Sequence, residues 1–371
     1  MAHSAVVIGA GIAGLSAGIA LKRAGYAVTV LEQAERIEPM GAALSIWGNA
    51  MAGLDWMGCG NAVRGQAARI DQLALRDLRE RPLFGPVDIA DTDSYLCLRR
   101  HLQTTLIGAL GPDCLKLGVR VDAVSDDAGG VTVRSGGHDC ARADLLVAAD
   151  GIHSAIATDI LGTRPVYAGY GGVLGLSDSP PTERNLAEEL WGEGDRFGVF
   201  DHGAGTYWFY MTNGTESEVT GLTLAEIEQR ARRYPVRVSD QVAATSPDKL
   251  IPVALHARGL PKRFGRGRIV CIGDAAHAME PNQGQGACQG IEDAWALGVL
   301  AQRLGPDTIL PAFEKVRRRR IARAHRDSAA LGKVIHGAPL VREAVSAVFR
   351  TVPKTVDAMQ IRRRIAPPDY A

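Results

Sequence analysis

The chain is predicted to be an α/β protein in which a Rossmann-like dinucleotide-binding domain is interrupted by an inserted antiparallel sheet. Three observations predict it. Near the N-terminus, "AVVIGAGIAGLSAGIALKRAGYAVTVLEQ" carries a strand, a glycine turn, a helix and a second strand in register. The βα repeats that would complete a doubly wound sheet do not follow. Mixed, strand-like pieces such as "RIDQLALRDL" and "GPVDIADTDSYLCL" stand there instead. Late in the chain, "GRGRIVCIGDAAHAMEPNQGQGACQGIEDAWALGVLA" returns to strand, turn and glycine-led helix.

Each element has a local reason. Ala5 to Ile8 is a short β-branched strand, followed by Gly9, Gly11 and Gly14 in G-x-G-x-x-G spacing. Gly9 allows the tight turn, Gly11 lets backbone amides reach a pyrophosphate, and Gly14 lets the helix pack close to the strand. The helix runs to about Ala24 with Gly25 as its cap, and "AVTVLE" ends in Glu32, placed to accept from a ribose hydroxyl pair. An acid there disfavours a 2′-phosphate at this site. "ARADLLVAADGIHSAIA" predicts a buried strand, Leu145 to Ala149, an Asp150-Gly151 turn and a helix starting near Ser154. Arg268 to Ile272 is a strand ending in Gly273-Asp274, and Gly284 and Gly286 open a helix whose amides could support negative charge.

Composition excludes several classes. The chain has 371 residues, 46% hydrophobic and 22% charged, with a formal net charge of +1, so it can bury a large core in two lobes and is no phosphate-neutralising nucleic-acid binder. The run Arg317 to Arg320 is read as a solvated helix face, with Phe313, Val316, Ile321 and Leu331 on the opposite side. Six scattered cysteines without C-x-x-C predict reduced thiols and a cytoplasmic protein, with no disulfide framework and no metal site. No apolar run reaches membrane-spanning length, and the glycine-broken start is not a signal peptide.

In this order the three motifs resemble those of the single-component FAD-dependent aromatic hydroxylases of the para-hydroxybenzoate hydroxylase type, over roughly residues 5 to 335. "GAALSIWGNAMAGLDWMG", "AADGIHSAI", "YAGYGGVLGL" and "WGEGDRFGVF" look most like urate hydroxylase and salicylate-hydroxylase-like enzymes. The resemblance implies a discontinuous FAD-binding domain (1–70, 96–165 and 265–335) and a substrate-binding sheet domain (71–95 and 166–264). The C-terminal helical segment, 336–371, ends in prolines that predict a frayed tail. It implies tightly bound FAD, NADH or NADPH as transient co-substrate, and O2. On that resemblance one oxygen would pass from a flavin C4a-hydroperoxide to a small aromatic or heteroaromatic ring, in a monomer or homodimer.

Carried over by position, Gly9, Gly11, Ala13, Gly14, Glu32, Gln33 and Ala43 would line the FAD site, with Arg99 (Arg100 as rival) on the nucleotide and Gln103 beside it. Asp150 and Gly151 match the family's DG motif, and Asp274 its ribityl-binding aspartate. Pro281, Gly284, Gly286 and Ala287 would lie beside the flavin ring. His277, after the GD motif, is read as structural. Arg196, His202, Tyr207 and Tyr210 fall in the region that would wall the substrate, with Arg196, His202 and Tyr210 as catalytic candidates. Asn282 stands where the urate-type enzymes have an aspartate and Trp208 where they have a tyrosine, which draws attention to both as substrate contacts. Gly171, Gly172 and Gly175 fit either a roomier substrate site, with Gly172 against the ligand, or a bulged edge strand. A halogenase is disfavoured by the absence of its W-x-W-x-I-P signature. A flavin-dependent reductase or epoxidase, and a non-catalytic FAD-binding escort, stay open alternatives.

Overall fold

The computed structural model describes residues 2–38, 42–351 and 354–370. Strand Ser4–Ile8 pairs parallel with Ala27–Leu31 on one side and Leu145–Ala148 on the other. Covered on both faces, Ala5 to Ile8 are all buried, which is why they form an unbroken apolar run instead of alternating. Ile269–Cys271 extends the sheet beyond Leu145–Ala148, Gly265–Arg266 adds an antiparallel edge, and Leu115–Lys116 lies at the far side. Six strands from the first, middle and last thirds of the chain therefore make one sheet.

Helix Ile12–Arg23 leaves the first strand through the glycine turn and packs against helix Gly286–Ala301. Two glycines are dictated by geometry. Gly9 has φ +97°, and a Cβ on Gly14 would lie 1.9 Å from the Gly9 carbonyl oxygen. Any side chain at position 14 would push the helix off the strand it must touch.

The second large sheet has seven strands, in the order Leu250–Arg258, Pro165–Ser177, Thr206–Asn213, Asp195–Asp201, Leu186–Trp191, Gln72–Asp77 and Pro82–Asp88. All neighbours are antiparallel except Leu186–Trp191 with Gln72–Asp77. Side chains alternate between its faces. Val173, Leu190, Phe197, Trp208 and Tyr210 meet helices Leu224–Ala231 and Val236–Ala243 in a separate core. On the opposite face, Phe200 and Tyr207, with Leu174, Leu176 and Phe209, join the main core of the nucleotide-binding unit.

Three expectations are corrected here. Strand Pro165–Ser177 is interior, paired on both sides, so its glycines do not mark an edge. They answer to close neighbours instead. A Cβ on Gly172 would meet the Tyr210 carbonyl oxygen at 1.9 Å, and one on Gly175 would meet the Trp208 indole at 2.3 Å. The arginine run does not form a solvated face either. It lies in the long helix Pro306–Ile335, where Arg317 is wholly buried and Val316 is exposed. Helices Pro339–Thr351 and Lys354–Ile365 follow. The tail beyond them is docked, not frayed, because the Tyr370 hydroxyl donates to Glu292 Oε1 at 2.8 Å. Among the described residues no helix is long and apolar enough to cross a membrane.

Candidate active site

The nucleotide cleft forms at the carboxyl ends of the parallel strands. The Glu32 carboxylate accepts from the Ala10 amide at 2.7 Å and from the Ala34 amide at 3.0 Å, which fixes it at the mouth of the glycine turn. Gln103 Nε2 donates to the Ala10 carbonyl at 3.0 Å from the other side. Helix Ile12–Arg23 has no side-chain cap, and a Cβ on Gly11 would meet nothing within 4 Å. Free amides thus face open space, the arrangement that binds phosphate. Half-buried Arg99 begins helix Arg99–Leu110 and makes no ion pair or side-chain hydrogen bond among the described residues. Its rival Arg100 is exposed and donates to His101. Ala13 sits against Gly273 and Gly290, and Ala43 starts the short strand Ala43–Ile46. Gln33 is exposed at the cleft's outer end.

Asp150 and Gly151 follow strand Leu145–Ala148, with Gly151 at φ +84°. One Asp150 carboxylate oxygen is buried without a partner, and burial pushes this carboxyl up against the opposing effect of its hydrogen bond with Ser154. The next turn is pinned by wholly buried Arg258, which donates to the Ile152 carbonyl at 2.7 Å and to the Thr163 carbonyl. Asp274 is exposed and makes no hydrogen bond among the described residues. A Cβ on Gly286 would lie 3.9 Å from its carboxylate. Pro281 is exposed, and Gly284, Gly286 and Ala287 are half-buried. Orphan amides, an unpartnered arginine, an unpartnered buried carboxylate oxygen and a free aspartate match the donors and acceptors of a flavin dinucleotide. The residues fit FAD.

Behind the Pro281–Ala287 loop lies a buried polar lattice that sequence reasoning missed. Arg317 Nε donates to Asp293 Oδ1 at 2.7 Å, and its Nη1 pairs with Glu292. Asp293 Oδ2 accepts from the Gly273 amide at 3.0 Å and meets His277 Nε2 at 2.6 Å. Asn49 Nδ2 donates to Glu292 at 2.9 Å and to Gln285 Oε1 at 3.2 Å. His277 is therefore committed to holding the GD turn.

A candidate substrate region lies where this loop meets the seven-stranded sheet. Arg196 is 2% exposed, with Nη1 3.0 Å from Glu189 and Nη2 donating to Asn282 Oδ1 at 2.6 Å. Its Nε is buried without a partner, and its guanidinium lies 5.4 Å from the Phe209 ring centre. Arg196 and Asn282 are thus brought together. Tyr170, Glu280 and His336 complete the cluster, and none had a sequence signal. The Tyr170 hydroxyl donates to Glu280 at 2.8 Å, and its ring stacks on His336 at 3.8 Å.

Other predicted site residues lie elsewhere. Tyr210 and Trp208 are on the sheet face turned away from Arg196. Tyr210 donates to Asp195 at 3.0 Å and Trp208 to Thr245 at 2.8 Å, so both serve the helix-covered core. The neighbour on the Arg196 face is Tyr207, whose hydroxyl makes no hydrogen bond among the described residues and senses the charges of Glu189 and Arg196. Burial holds its phenol well above the usual tyrosine range, hence protonated. His202 lies in the hairpin turn past Asp201, six residues along from Arg196, roughly 20 Å at a strand's rise per residue. Gly172 is filled by neighbouring backbone and offers no surface to a ligand.

An open glycine turn, an unpartnered aspartate after the last parallel strand and an inserted sheet define a flavoprotein oxidoreductase fold. The chain belongs to the FAD binding domain family, whose profile matches residues 2–328. It is 34% identical over 316 residues to an aurachin C monooxygenase/isomerase of Stigmatella aurantiaca, covering 83% of this chain and 82% of that protein. It is 33% identical over 312 residues to an FAD-dependent urate hydroxylase of Klebsiella pneumoniae, covering 80% of each. Among solved structures it resembles Klebsiella pneumoniae HpxO complexed with FAD and uric acid, with TM-score 0.90 and 27% identity over 98% of this chain and 96% of that one. The expected fold and FAD dependence are borne out, and the chain is an FAD- and NAD(P)H-dependent monooxygenase.

Proposed function

We propose that the enzyme hydroxylates a small aromatic or heteroaromatic ring bearing an ionisable hydroxyl or enol, bound between Arg196, Tyr207 and the Pro281–Ala287 loop. The carrying observation is a pair of unpartnered polar groups on one sheet face. Arg196 Nε is buried with no acceptor, and the Tyr207 hydroxyl has no protein partner. Around them Phe200, Tyr207 and Phe209 make an aromatic wall with ring centres 5.7 to 6.3 Å apart. The known activities of the relatives support the substrate class, since they include a urate hydroxylase and a 3-hydroxybenzoate 6-hydroxylase.

Bound FAD, reduced by NAD(P)H, supplies the oxygen-activating chemistry. On this reading residues 1–70, 96–165 and 265–335 hold it, with Asp274 on the ribityl chain, Arg99 on the pyrophosphate and Glu32 on the ribose. The chain's own residues prepare the substrate. Arg196 holds the substrate oxygen in its deprotonated, electron-donating form, which raises ring nucleophilicity. Tyr207, kept protonated by burial, donates to a second acceptor and sets the ring's orientation. Glu189 and Asn282 fix the guanidinium, and the aromatic wall excludes water. The six cysteines are all unpaired thiols, which supports a reducing, cytoplasmic setting.

Arg196→Gln and Tyr207→Phe test this. Each should keep FAD, seen as flavin absorbance, and lower kcat/KM for substrate-stimulated NAD(P)H oxidation by ~10²-fold or more. Unchanged kcat/KM in both variants would remove these residues from the site.

A further inference from the structure

A cavity of about 190 Å³ lies between helix Pro306–Ile335, helix Lys354–Ile365 and the side chains of the loop after Asn282. Its wall carries Arg319, Arg320, Arg323, Arg363 and Arg364 against one carboxylate, Asp327. Asp327 is shared, 3.7 Å from both Arg323 and Arg364 and 3.8 Å from Arg326. Arg320 is engaged with buried Glu292 at 3.0 Å. The side chains of Arg319 and Arg363 make no ion pair or hydrogen bond among the described residues. Cations of one sign gathered around a cleft repel one another and draw in counter-charge.

A buried glutamine lines the same cavity. Gln285, on its floor, is 4% exposed. Its Oε1 accepts from Asn49 Nδ2 at 3.2 Å and Gln289 Nε2 at 3.0 Å, while its own Nε2 is buried with no acceptor. The orientation of this amide is forced. Glu292 accepts from Asn49 Nδ2 at 2.9 Å, so Asn49 presents a donor and Gln285 must answer with its oxygen. A buried N–H left without a partner is a costly arrangement.

We propose that this cleft binds a free phosphate-bearing anion of about pyrophosphate size, in a site separate from that of FAD and independent of the substrate reading above. Guanidinium forks match the paired oxygens of phosphate. The cavity corresponds to roughly six waters at their share of liquid volume, too roomy for a single halide. None of Gly11, Arg99, Asp150 or Asp274 lines it. Gln285 stands between Gly284 and Gly286, so an occupant of the cleft shares one loop with the flavin.

Calorimetric titration of the FAD-loaded enzyme with inorganic pyrophosphate at fixed ionic strength tests the site. One saturable site is expected, weakened at least tenfold in Arg319→Gln/Arg363→Gln, with flavin content and turnover unchanged. These two arginines are outside the catalytic machinery, and at least half of the pair's effect should appear with exposed Arg363→Gln alone. Absence of saturable binding, equal affinity in the double variant, or release of FAD by pyrophosphate would overturn the proposal. So would co-sedimentation with phosphatidylglycerol vesicles that the same substitutions abolish, since that assigns the arginines to a lipid surface.

Discussion

Asn282 holds an arginine, a tyrosine and a carboxylate together through one amide. Its Oδ1 accepts from Arg196 at 2.6 Å and Tyr170 at 3.2 Å, while its Nδ2 donates to Glu280 and to the Ser328 carbonyl, both at 3.0 Å. An aspartate would turn that donor into an acceptor facing two acceptors. Asn282→Asp should therefore cost about 1–3 kcal/mol of stability, read by denaturant unfolding; equal stability would contradict the bridging role. The carboxylate that position 282 lacks stands two residues earlier, as Glu280. Asp274, by contrast, is exposed and has no protein partner to lose. Asp274→Ala should leave folding intact and weaken FAD binding by about 10- to 100-fold, the worth of a charged hydrogen bond; unchanged flavin retention after dialysis would show that Asp274 does not hold the ribityl chain. The glycine turn and the strand ends that carry Glu32, Asp150 and Asp274 were legible because each obeys a local rule of spacing. Around Arg196 the sequence indicated Arg196, Tyr207 and Asn282 but not which face each strand residue takes, since a one-residue slip puts Trp208 and Tyr210 on the opposite face from Tyr207.

Helix Pro306–Ile335 carries more of the site than its composition suggests. Arg317 on it reaches Glu292 and Asp293 of helix Gly286–Ala301, and Ser328 on it receives Asn282. A sequence displays four consecutive arginines but not the distant carboxylates that take one of them inside, so the run reads as solvated. His336, at the end of this helix, couples it to the sheet. It stacks on Tyr170 and meets Asn213 Oδ1 at 2.8 Å, and burial, with the Arg196 charge, depresses its imidazole to about 3. Such a group binds a proton more weakly folded than unfolded. Its contribution is complete above the ordinary histidine value near 6.5 and is lost as pH falls from there toward 3. His336→Gln should flatten the stability profile across that window, measured by unfolding midpoints; an unaltered acid limb would contradict it.

The whole molecule follows from one arrangement, a nucleotide-binding sheet assembled from three separated segments and roofed by an inserted sheet. Strands at Ser4, Leu145 and Ile269 and both GD-type turns were readable from β-branched runs ending in glycine, because parallel pairing and turn geometry leave residue-level marks. Register within the inserted sheet, the docked Tyr370 tail and the arginine-lined cleft were not readable, because each depends on contacts between distant segments. In the proposed reaction this fold delivers one oxygen atom from O2 to a ring held beside Arg196. Turnover of hydroxylated aromatics and N-heteroaromatics by the FAD-loaded enzyme with NADH or NADPH under ¹⁸O2, with product mass spectrometry, tests it most directly. Substrate-stimulated NAD(P)H consumption and a product carrying one labelled oxygen are expected. Consumption that ends only in hydrogen peroxide for every ring, or product oxygen drawn from water, would contradict it.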